Sequence, residues 1–116
     1  MASIIKEKSF RFAVKIVELY KILTKRKEFV MSKQLLRSGT SVGANVREAQ
    51  NAQSTADFIH KLSIAQKEAD ETLYWLELLL ETKYISKEEY SKIYKDSEEL
   101  LKIIRSIIMT TKKNNS

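Results

Sequence analysis

The chain has no Cys, no Pro and only two Gly among 116 residues, and a single Trp and a single His. Without Cys there is no disulfide framework, no thiol nucleophile and no thiolate metal site. Without Pro, and with Gly confined to positions 39 and 43, little stands in the way of long helices. One His excludes the di-iron bundle, whose ligand set needs two Glu-x-x-His pairs, and no cofactor is expected. No apolar run reaches the ~20 residues that cross a bilayer, and the stretch Met1–Lys8 lacks the apolar core of a signal peptide. The expected compartment is the cytoplasm, with no membrane partner.

What is present favours helix. Leu, Ile, Lys and Glu dominate, so the expected class is all-α, and a chain of this length makes one domain that buries about two-thirds of its unfolded surface. Four amphipathic stretches follow from apolar spacing. The first spans about Ile4 to Lys27, with Ile5, Phe12, Ile16, Leu19 and Leu23 on one face and Ala13, Val17 and Tyr20 beside it. The second spans about Glu28 to Asn51. The third, opened by Ser54 and Asp57 as a capping-box variant, runs to Thr82. The fourth opens with a stronger box, Ser86 to Glu89, and runs to Thr111 with Tyr90, Ile93, Leu100, Ile104 and Ile107 on one stripe. Short connections predict an antiparallel up-down four-helix bundle over residues 1–111, followed by a fraying tail, 112–116.

Gly39 and Gly43, flanked by Ser38, Thr40, Ser41 and Ala44, mark a kink or break in the second helix or a place where another helix comes close. They do not form a phosphate loop. The Walker pattern requires Lys and Ser/Thr after its second Gly, and Ala44-Asn45 stands there instead.

The third stretch is apolar on two sides. Phe58, Leu62, Ala65, Ala69, Thr72, Leu76 and Leu79 keep a 4-3 spacing, while Ile64, Tyr74, Trp75 and Leu78 fall on the far side at roughly 100° per residue. One face suits the subunit's core. The second suits another chain, so Ile64, Tyr74, Trp75 and Leu78 are the expected oligomer interface. Glu71, Glu77 and Glu81 near the aromatic pair disfavour base stacking there.

Charge is uneven. Residues 1–54 carry 11 Lys/Arg against 4 Asp/Glu, and residues 55–116 carry 10 against 11, so the net +6 comes from the first half. Lys8, Arg11 and Lys15 share a roughly 60° arc of the first helix, and Lys25, Arg26, Lys27 and Lys33 cluster around the following turn. These seven are the candidate phosphate contacts, weak singly and cumulative if repeated in an oligomer. No base-reading motif accompanies them, so backbone binding with little sequence preference is expected. The alternative is a solubilising surface.

Arg37, Asn45, Arg47, Glu48 and Glu71 are read as a structural polar network, because a carboxylate on an apolar helix face needs a partner. A shared anion or metal site is the competing reading. His60, in a polar column with Lys67, Tyr74 and Glu81, is expected at the surface. Helical Ser63 has no nucleophile elbow or oxyanion loop, so an enzyme is not expected.

The run Arg37–Ala49, followed by Phe58-Ile59 and Leu62–Glu71, resembles the four-helix bundle proteins encoded in intervening sequences of bacterial large-subunit (23S) ribosomal RNA genes. That family is similar to the accessory variability proteins of diversity-generating retroelements. Ser41, Val42, Ala44, Asn45, Val46 and Glu48 match one hallmark; Phe58, Ile59, Leu62, Ile64 and Ala65, then Glu71, match another. Gly43 and Ala49 depart from it, standing where Pro and Gly are common. The resemblance implies a homo-oligomer, pentameric in the best-described relatives, with a basic surface that binds RNA or DNA, and for the retroelement branch a reverse-transcriptase partner. Two functions from different classes stay open: a non-enzymatic nucleic-acid-binding oligomer, and a protein–protein adaptor with no nucleic-acid role.

Overall fold

The computed structural model describes residues 2–114, with side chains described from Ile4 onward. It is all-α: α1 (Ala2–Lys25), α2 (Met31–Gln50), α3 (Thr55–Glu81) and α4 (Lys87–Asn114). Each helix packs on its neighbours in the chain, and α4 returns to α1. The long axis is 48 Å against 21 and 19 Å across.

The core is largely the one the spacing predicts, although Phe58 and Tyr90, also expected on the core stripes, are only partly buried. Ile5, Phe12, Ile16, Leu19 and Leu23 are buried on α1, and Leu62, Ala65, Ala69, Leu76 and Leu79 on α3. They meet Leu35, Val42 and Val46 from α2 and Ile93, Leu100 and Ile104 from α4. Ile108 is buried beside them, while Ile107 is only partly buried.

The expected break in the second helix is absent: α2 runs unbroken through Gly39 and Gly43. The glycines let α1 approach instead. A Cβ on Gly39 would stand 2.7 Å from both Cγ atoms of Ile16, and one on Gly43 would stand 3.1 Å from the Ser9 carbonyl oxygen. Contact with α1 repays the helix propensity that Gly lacks.

Helix ends follow side-chain chemistry. Ser54 Oγ accepts the Asp57 N–H at 3.0 Å. At α4, Ser86 Oγ accepts the Glu89 N–H at 3.1 Å and Glu89 accepts the Ser86 N–H at 2.8 Å, a complete capping box. α2 starts at Met31 rather than near Glu28, because Glu28 caps it. The Glu28 carboxylate accepts the N–H groups of Val30, Met31 and Ser32, at 3.2, 3.1 and 2.6 Å. α1 and α3 end in matching turns. Glu28 N–H donates to Leu23 O and Lys27 N–H to Thr24 O; Tyr84 N–H donates to Leu79 O and Lys83 N–H to Leu80 O. Lys27 and Lys83, with φ of 64° and 67°, occupy the left-handed position where Gly is usual. α4 continues to Asn114, past the expected end at Thr111; Asn115 and Ser116 of the expected tail lie outside the described residues.

Candidate nucleic-acid and subunit surfaces

The fold turns the basic flank of α1 toward α4. Lys8 Nζ meets Glu99 at 2.8 Å and Lys15 Nζ meets Asp96 at 2.5 Å, while Arg11 pairs along its own helix with Glu7 at 3.3 Å. The three cations thus share one groove with Asp96 and Glu99, as their common arc implied. They are not a bare patch. The Glu99 carboxylate beside it raises the Lys8 pKa above its ordinary value. A phosphate that recruits Lys8 or Lys15 must compete with a carboxylate already in place.

Arg26 is also committed. Its guanidinium forks onto Glu89 at 3.0 and 2.9 Å and donates to the Tyr84 carbonyl at 2.6 Å, tying the α1–α2 turn to the α3–α4 turn. The fork raises the Arg26 pKa. It also holds the Glu89 carboxyl down at about 2, with help from the Ser86 backbone N–H. Lys25, Lys27 and Lys33 are exposed at the same end of the bundle, with no acidic partner among the described residues.

The apolar surface differs from the expected one. On α3, Tyr74 is 56% exposed, whereas Ile64, Trp75 and Leu78 are partly covered. Trp75 packs against the core, and its indole N–H donates to Glu71 at 3.0 Å. The Tyr74 ring meets it edge-on, with centroids 5.0 Å apart. A second exposed set was missed: Phe10 and Val14 on α1, 56% and 43% exposed, and Phe29 and Val30 in the turn. Phe10 and Val14 are one turn apart, opposite the core stripe, and that spacing was the available signal.

Of the five residues read as one polar network, Arg37 and Glu71 do pair, while the other three make separate contacts. Arg37 bridges Glu68, at 3.2 Å, and Glu71, which also accepts from Trp75. Glu48 pairs instead with Lys61 at 3.0 Å. Asn45 donates to the Ser41 carbonyl in its own helix, and Arg47 lies over the Phe10 ring, 5.9 Å from its centroid. Glu68 and Lys61 are the partners that sequence reasoning missed. They lie on the flanks of α3, and only the packing of α2 on α3 brings them into range. His60 is exposed, and no cluster of His, Asp and Glu suited to a metal ion occurs among the described residues. Nor is any described helix long and apolar enough to cross a membrane.

The chain is thus a basic four-helix protein with exposed aromatic side chains on α1, α3 and the α1–α2 turn. Residues 2–106 match the family described as 23S rRNA-intervening sequence protein, and the chain belongs to that family. It is similar to a solved Bacteroides thetaiotaomicron protein of the S23 ribosomal protein family, whose function is described as unknown. The two share 64% identity over 90% of this chain and 97% of the other, with a TM-score of 0.88. No curated protein matches the chain.

Proposed function

We propose that this protein is a non-enzymatic, cytoplasmic homo-oligomer that holds the phosphate backbone of RNA or DNA with little sequence preference. The carrying observation is the net charge of +6 on a fold whose exposed Lys25, Lys27 and Lys33 have no acidic partner among the described residues. The order of cross-helix pairs supports an antiparallel up-down bundle: Ser9 lies by Gly43 and Ile16 by Gly39, Arg37 by Glu71 and Glu48 by Lys61. Exposed Tyr74 on α3 and Phe10 on α1 supply two apolar faces for neighbouring copies. A pentamer is the assembly the family resemblance implies, and a nucleic-acid enzyme such as a reverse transcriptase is a partner of fitting chemistry.

Sedimentation velocity at micromolar concentration tests the assembly. A single oligomeric species is expected, weakened by Tyr74→Glu or Phe10→Glu with helicity unchanged by circular dichroism; a wild-type monomer refutes it.

One observation favours the second reading, an adaptor. Lys8, Lys15 and Arg26 are already paired across helices, as structural or solubilising cations are. Salt-insensitive capture of a protein partner, with no binding of RNA or DNA, is the result that selects it.

A further inference from the structure

The contrast between halves of the sequence does not survive folding; charge separates along the bundle's length instead. The pairs Lys8–Glu99, Ser9–Gly43 and Glu48–Lys61 place residues 2–9, 44–62 and 99–114 at one end. That end carries eight Lys/Arg against four Asp/Glu. The rest of the chain, including both lysine turns, carries thirteen against eleven. Most of the net charge therefore sits at the end reached by the C-terminal half of α4.

Helix α4 itself divides in two. Residues 87–99 hold Glu88, Glu89, Asp96, Glu98 and Glu99 against Lys87, Lys92 and Lys95, and three of those acids are engaged by Lys8 and Lys15 of α1 and Arg26 of the turn after it. Residues 100–114 hold Lys102, Arg105, Lys112 and Lys113 and no acid. All four are exposed, and Lys102, Arg105 and Lys112 have no acidic partner among the described residues. The helix dipole accounts for cations in the last turn, Lys112 and Lys113. It does not account for Lys102 and Arg105, two to three turns earlier. The Lys102–Lys113 segment is about 17 Å long, which spans roughly five phosphates of one duplex strand.

We infer that the outer face of α4 from Lys102 to Lys113 is the principal phosphate-contacting surface, in place of the α1 flank. The inference rests on the nucleic-acid reading above and locates its site. Nucleic acid fits better than an anionic membrane, because α4 buries its Leu and Ile face in the bundle and leaves Met109 as its exposed large apolar side chain. An interfacial helix needs a free apolar face. Contacts through Lys102, Arg105 and Lys112 also cost no ion pair among the described residues, unlike contacts through Lys8 or Lys15.

Two triple variants that remove equal charge provide the test: Lys102→Ala/Arg105→Ala/Lys112→Ala, and Lys25→Ala/Lys27→Ala/Lys33→Ala. Fluorescence anisotropy with labelled RNA and DNA is followed over a range of salt, with circular dichroism checking each variant's helicity. Each lost phosphate contact lowers the slope of log K against log salt by about 0.7–0.9. The α4 triple is expected to lose about 2–3 in slope and at least tenfold in affinity, and the turn triple much less. Equal or greater loss in the turn triple, with wild type binding normally, overturns the α4 assignment alone. Wild type that binds no nucleic acid even at low salt overturns the underlying function as well. Binding to phosphatidylserine vesicles, with none to RNA or DNA, would likewise overturn both.

Discussion

Replacing Glu89 by Gln isolates the clamp that joins the two turns of the bundle. The carboxylate takes a fork from Arg26 at 3.0 and 2.9 Å while accepting the Ser86 N–H at 2.8 Å. Gln keeps an oxygen for the cap and loses the charge. The folded-state pKa lies at about 2, against an ordinary 4.5, chiefly through the Arg26 hydrogen bond. Full conversion of that difference gives about 3 kcal/mol. Glu89 is 27% exposed and Arg26 41%, so solvent screening reduces the expected contribution to ~1–2 kcal/mol. The sign follows from the depressed pKa: the stabilisation is complete above pH 4.5 and disappears as pH falls toward 2. Urea unfolding of wild type and Glu89→Gln, at one protein concentration, should show a gap of ~1–2 kcal/mol at pH 7 that closes through this window. Two curves that fall in parallel from pH 5 to 2 would refute the reasoning.

Three further substitutions probe the packing. Gly39→Ala should cost about 1–3 kcal/mol despite the better helix former, because Ile16 is fully buried and cannot move its Cγ atoms away; an unchanged or raised Tm contradicts this. Glu28→Ala strips three N–H groups of their acceptor and should cost ~1–3 kcal/mol in thermal unfolding, with α2 fraying first by hydrogen exchange; protection equal to wild type would contradict it. Ser97→Ala should be neutral or stabilising by up to ~1 kcal/mol, since the buried Ser97 hydroxyl has no hydrogen-bond partner among the described residues; a loss above that would reveal one.

The core was legible because it is periodic: the α1 and α3 stripes of buried residues are the ones that apolar spacing selects. The Ser86 cap was legible because its chemistry is local. Gly39 was not. Whether two small residues break a helix or admit a neighbour depends on α1, whose Ile16 lies 23 positions away in sequence. Glu28 escaped because a Glu three residues before a helix is an uncommon cap, recognised only when its carboxylate is seen to fold back. The candidate basic surface was the least legible. Lys8 and Lys15 find their acids 91 and 81 residues away, so a charge count along the chain could not tell engaged cations from free ones. Only the packed helices reveal that Lys102, Arg105 and Lys112 of α4 have no acidic partner among the described residues.

The central claim is that this basic bundle holds nucleic acid by its phosphates. The most direct measurement is a titration of wild-type protein into labelled single- and double-stranded RNA and DNA, at about 50 and 200 mM salt, followed by fluorescence anisotropy. Binding at the lower salt that weakens at least tenfold at the higher, with little difference between sequences, is the predicted result. No binding at either salt, or affinity that salt leaves unchanged, would contradict it.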